Sequence, residues 1–143
     1  MNRATLALGP LVAGDRLTRE EFMRRWEEVP ELKRAELVGG VVFMPSPLSV
    51  SHGQMDKRIA AWLWAYEQAT PGCQSGANET WFMLTDAPQP DHYLRIREEY
   101  GGGSFVKDDF HRGAPELIAE VALSSTSYDL HQKKELYAKA GVK

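Results

Sequence analysis

The sequence predicts an α/β fold, a mixed β-sheet flanked by helices, and three observations carry that expectation. Segments with helical apolar spacing alternate with short extended runs in the order α, ββ, α, ββ, β, α. No internal repeat, low-complexity tract or linker interrupts that order. The 143 residues are 43% hydrophobic and 26% charged, the balance of one domain able to bury roughly two thirds of its unfolded surface. Residues 1–17 lack periodicity and read as a loose lead-in to a domain over residues 18–143.

"TREEFMRRWEEV" predicts the first helix. Thr18 and Glu21 have capping-box spacing, and Phe22, Trp26 and Val29 recur on one face. "RAELVGGVVFMPSP" predicts two strands joined by a tight turn at Gly39-Gly40 and ended by Pro45 and Pro47. "SHGQMDKRIAAWLWAYEQA" has the clearest helical pattern, with Ser51 as its cap and Thr70-Pro71-Gly72 as its stop. Met55, Ile59, Trp62, Leu63 and Tyr66 share one face of it. "ETWFML" and "HYLRI" read as strands on either side of the turn-rich "TDAPQP". "YGGGSFVKDDFHRGAP" reads as a glycine-broken loop or hairpin, its "VKDDF" a solvated loop, leading to the apolar strand "LIAEVAL". "YDLHQKKELYAKAG" predicts a closing helix capped by Asp129, with Gln132 three residues on.

Charge narrows the partners. A net charge of −3 and a pI near 5.8 argue against coating nucleic acid by bulk attraction. They remain compatible with a small cationic groove or a metal-bridged site for phosphates. No apolar run approaches the roughly 20 residues that cross a bilayer. Arg3 is not followed by the apolar core and small-residue cleavage site of a signal peptide. Cys73 is alone, so there is neither an internal disulfide nor a cysteine zinc cage, and a reducing, cytoplasmic setting is the default expectation.

Glu120 is the one ionisable residue in "LIAEVAL", where an unpaired buried carboxylate would be costly. At about 100° per residue, Leu130, Leu136, Tyr137 and Ala140 of the next helix average to the direction of Lys133, with Lys134 roughly 90° away. Lys133 therefore projects from the packing face and needs an anion, and Glu120 lies just upstream. Asp91, after Pro90 at the start of "HYLRI", adds a second carboxylate. Two carboxylates and a lysine are the parts that hydrolyse a phosphodiester with a metal. The acids hold Mg²⁺, and the lysine orients the water, helps deprotonate it or stabilises the phosphorus. Each residue has a plainer reading: Pro-Asp is common in turns, Lys133 could simply neutralise Glu120, and His52 could be an ordinary imidazole at a helix start. The spacing of His92 and His111 matches no common zinc motif. Trp62, Trp64 and Trp81 read as core or interface.

"RAELVGGVVFMPSP", "SHG", "QPDHYLRI" and "GAPELIAEVALSSTSYDLHQKKELYAKAGV" resemble the Uma2 family of the restriction-endonuclease-like PD-(D/E)XK superfamily. The resemblance covers roughly residues 18–143 and is most specific from Gly113 to Val142. It implies a central mixed sheet flanked by helices and a nuclease-type site using Mg²⁺, with Mn²⁺ as a substitute. Asp91 matches the acid of "PD", Glu120 the (D/E), and Glu36 a glutamate of the family's first hairpin that would be a third carboxylate. The usual signature has lysine two residues after the second acid, where this chain has Ala122; the resemblance implies that Lys133 takes that part. His52 stands where the family often has "HG" and would contact phosphate or assist proton transfer. A further strand is expected after "AGVK", so the C-terminal strands look missing and a sheet edge uncovered.

The function expected is a Mg²⁺-dependent endonuclease acting on DNA, with Asp91, Glu120 and Glu36 on the metal and Lys133 at the water or the phosphate. Recognition would go through backbone and shape, since no basic reading helix stands out. The alternative is a non-catalytic module of the same fold that binds nucleic acid or a protein partner. A third reading is a homodimer assembled through the tryptophan-bearing helix and the open sheet edge.

Overall fold

In the computed structural model, which describes residues 9–122 and 128–143, Thr18 opens helix α1 (Arg19–Glu27) by accepting the Glu21 amide at 3.2 Å. Only half of the capping box forms, because the Glu21 carboxylate turns to Arg24 and Arg25 one turn on. Phe22 is buried against Trp26, edge to face with ring centroids 5.3 Å apart. Strands β1 (Glu36–Val38) and β2 (Val41–Phe43) pair antiparallel around Gly39 and Gly40. Both glycines have left-handed φ, 61° and 74°, which a side chain would strain. The Asp86 carboxylate accepts both turn amides, at 2.7 and 3.0 Å, and so fixes the hairpin that carries Glu36.

Residues 9–17 differ from the loose lead-in expected. Gly14 donates to the Val42 carbonyl, Val42 to that of Asp15 and Leu17 to that of Gly40, while Leu11 joins the core. The exposed backbone of β2 is a ready partner for an extended segment, whatever its side-chain pattern.

Helix α2 (Val50–Ala69) starts two residues earlier than expected. Ser49, not Ser51, is its cap and accepts the His52 amide at 3.1 Å. Its expected packing face is also off: Leu63 is buried, whereas Met55, Trp62 and Tyr66 are exposed.

Strand β3 (Cys73–Ala77) has no counterpart in the sequence reading. It lacks apolar alternation, and Gly76 is there because a Cβ would meet the Tyr93 hydroxyl, the closest approach being shorter than any normal contact. β3 and β8 (Leu117–Ala119) flank β5 (His92–Ile96), all antiparallel. The expected strand "ETWFML" shrinks to β4 (Trp81–Phe82), parallel to β7 (Phe110–Arg112), which pairs antiparallel with β6 (Phe105–Lys107). "VKDDF" is the turn of this hairpin, with Asp108 and Asp109 at φ 53° and 64°. Among the described residues, mixed pairing is thus confined to one of three sheets.

The core has two parts. Leu11, Phe22, Ala35, Leu37, Val42 and Ala87 bind α1 to the hairpin. Val38, Trp81, Met83, Tyr93, Leu136 and Tyr137 bind helix α3 (Tyr128–Ala140) across the hairpin and β5. Asp129, expected as the cap, falls inside α3; its side chain, like all of residues 123–127, lies outside the described residues.

Candidate active site

Register brings the two acids together. β5 and β8 pair His92 with Ala119, Tyr93 with Ile118 and Leu94 with Leu117. One step further along the same register sets Asp91 opposite Glu120, where directly facing side chains share a face. The ladder stops there because Asp91 Oδ2 accepts the Val121 amide at 2.8 Å. Glu120 therefore sits just past the end of β8 rather than in the middle of a strand, as its apolar flanks had suggested.

Lys133 projects from α3 into this pocket and is only 5% exposed. Its Nζ lies 2.8 Å from Glu120 Oε1 and 2.8 Å from Glu36 Oε1, with the Gln89 carbonyl at 3.4 Å. Glu36 Oε1 also accepts the Gln89 amide at 2.7 Å, and the Tyr137 hydroxyl donates to Glu120 Oε1 at 2.5 Å. Burial works against the Lys133 charge, but Glu36 and Glu120 more than offset it and hold the group above its ordinary value. Burial pushes Glu120 up to about 7, Lys133 draws it down and Asp91 pushes it up again. Tyr137 is raised by burial and by Glu120, so it stays a neutral donor.

All four expected residues line one cavity of about 220 Å³, together with Arg34, His52 and an apolar wall of Phe43, Met44, Pro45 and Leu48. His52 Nε2 lies 3.0 Å from the Val121 carbonyl, which fixes that nitrogen as the donor and steadies the turn after Glu120. His92 and His111 do not join: His92 pairs with Asp56 on α2 at 2.7 Å, and His111 with Glu79 and the Tyr93 hydroxyl, each at 2.9 Å.

Three partners were missed in the sequence. Tyr137 was read only as packing, and Gln89 works through its backbone, which no residue type announces. Arg34 had a signal: Ala35 and Leu37 are buried in the core, so Arg34 and Glu36 alternate onto the opposite side.

Among the described residues, no three His, Cys, Asp or Glu side chains stand close enough together to clasp a metal ion. Glu36 Oε1 is shared between Lys133 and the Gln89 amide. The chemistry of Asp91 and Glu120 still fits Mg²⁺, which needs only one or two carboxylates besides water and phosphate oxygens. Two facing acids, one raising the other's pKa, are a pair that a hard cation relieves.

A search of curated proteins finds no match. Among solved structures, the chain is similar to a "putative nuclease belonging to DUF820" from Anabaena variabilis, with 17% identity and a TM-score of 0.66, covering 88% of this chain and 70% of that one. At that identity the likeness speaks for the fold alone, a nuclease fold of mixed α/β type. No helix among the described residues is long and apolar enough to cross a membrane. The profile of the Uma2 family, described as "Putative restriction endonuclease", matches residues 19–143, and the chain belongs to that family.

Proposed function

We propose that the protein is a Mg²⁺-dependent endonuclease that hydrolyses DNA phosphodiester bonds in the cavity between β1, β5, β8 and α3. The observation that carries this reading is the facing pair Asp91 and Glu120, backed by a buried lysine. Held between Asp91 and Glu120, Mg²⁺ would acidify a water and offset charge on the phosphate.

The chain's own groups divide the rest of the work. Asp91 is aimed by the Val121 amide, and Glu120 by Tyr137 and Lys133. Glu36 holds Lys133 from the far side and so keeps Glu120 in place. Lys133, bound above its ordinary pKa, serves as a fixed positive charge rather than as a base. Its long contact to the Gln89 carbonyl is the donor most easily lent to a phosphate oxygen. Hydrolysis forms a bond from water oxygen to phosphorus and breaks that to the leaving sugar oxygen, which takes up a proton. Recognition is through the phosphate backbone, since the cavity offers acids and cations rather than a base-reading helix.

The variant Glu120→Ala should keep its fold and lose plasmid nicking in Mg²⁺ by at least about a hundredfold. Nicking at the parental rate would remove Glu120 from the site. Calorimetric titration separates the alternative: Mg²⁺ binding that disappears in Asp91→Asn supports the enzyme. No binding by the parent at millimolar metal leaves a non-catalytic nuclease-fold module.

A further inference from the structure

Among the described residues, Arg34 is the cation of the cavity without a hydrogen-bonded partner. It sits two residues before Glu36 on the approach to β1 and, like Glu36, lines the cavity. Lys133 has two carboxylates at hydrogen-bond distance, whereas among the described residues the Arg34 guanidinium has only Asp91 Oδ1, at 3.7 Å. That is an ion pair, but too long for a hydrogen bond. Its Nε is buried without any acceptor. A half-buried guanidinium with five donors and no hydrogen bond is poorly satisfied, and a planar fork of this kind matches phosphate oxygens.

The charges of the cavity point the same way. With all three acids ionised, as a bound cation would require, Glu36, Asp91 and Glu120 face Arg34 and Lys133, which leaves one negative charge among these five groups. A divalent cation would turn this into one positive charge, the complement of a single phosphodiester. The same cation would take Asp91, the group that now restrains Arg34.

We infer that Arg34 is the phosphate-binding residue of this cavity, parked beside Asp91 in the free protein and handed to a backbone phosphate when a divalent cation occupies that carboxylate. This rests on the nuclease reading above and adds to it a competition between the arginine and the metal. Arg34 and metal are antagonists at Asp91 and partners on the substrate.

The test uses the full chain, with Mn²⁺ alone in a calorimeter and a fluorescent 12-base-pair duplex in Ca²⁺ by anisotropy. Arg34→Ala should bind Mn²⁺ at least as tightly as the parent, because its competitor is gone. Its duplex affinity should fall about ten- to hundredfold, and the slope of log affinity against log salt should shrink by about one. Arg34→Lys should restore the slope but only part of the affinity, since a point charge lacks the fork. Unchanged duplex binding by Arg34→Ala, or loss of its Mn²⁺ binding, overturns the inference and leaves the nuclease reading standing. A parent that binds no Mn²⁺ sinks both.

Discussion

Helices α2 and α3 invert what their lengths suggest. α2 runs for 20 residues and buries one of them, Leu63. α3 runs for 13 and buries Lys133, Leu136 and Tyr137, among the described side chains. The long helix leans on the sheet at a few points, through Leu63 and the Asp56 contact to His92. The short one closes half of the core and supplies the lysine and hydroxyl that hold Glu120. The buried lysine sits on the helix whose packing is over-determined, because a buried charge must be held by several partners at once.

The comparison breaks most sharply at Lys133. Lys133→Met keeps the volume of the side chain but leaves Glu36 and Glu120 facing each other without a cation. A loss of about 3–5 kcal/mol is expected at neutral pH, shrinking at pH 5 as Glu120 takes up a proton. Urea denaturation at both pH values measures it, and a neutral or stabilising substitution would mean that α3 packs independently of its charge. Leu136→Ala should follow, with a loss of about 2–4 kcal/mol for a truncated core leucine.

What could be read from the sequence tracks how local each cause is. The Gly39-Gly40 turn, the Thr18 cap and the direction of Lys133 follow from neighbours within a turn or two, and each is found where local rules set it. β3 could not be read, because its partner β5 and the Tyr93 ring over Gly76 lie far along the chain. The exposed flank of α2 misled for the same reason. Met55, Trp62 and Tyr66 have helical spacing, but whether such a stripe meets a sheet depends on where the sheet ends. At the site, the pairing of Glu120 with Lys133 came from helix geometry. Asp91 stood out after Pro90 at the head of its strand and gained its role from the family resemblance, Glu36 needed that resemblance altogether, and Arg34 needed coordinates.

Acidity sharpens the contrast next. Glu120 is pushed up to about 7 in the folded chain from its ordinary value of 4.5, first by burial. The folded state therefore holds the proton more tightly than the unfolded one. This contribution is fully present below about pH 4.5, is lost as pH rises to about 7, and changes no further above that. The raised Lys133 acts only above its ordinary value of 10.5, outside this window. Mg²⁺ favours the ionised acids, so the Tm gain from millimolar Mg²⁺ should be larger at pH 8 than at pH 5, by a few degrees. Calorimetric scans at the two pH values check it; an equal gain at both would place the metal away from Glu120.

The smallest effect is expected on α2. Trp62 is 62% exposed, so Trp62→Ala removes area that is already in water, and the stability of the monomer should move by no more than about 0.5 kcal/mol. The same substitution at Leu63 should cost several times as much, because Leu63 is the one residue of this helix that is fully buried. Denaturation of both variants at two protein concentrations tests the pair of claims. A Trp62→Ala loss that grows with concentration would mean that a second copy covers this flank, since only an interface makes stability depend on concentration. A concentration-independent loss as large as that of Leu63→Ala would instead mean that the flank packs within one chain. In that event the contrast between the two helices, and with it the reason for placing the chemistry on α3, would disappear.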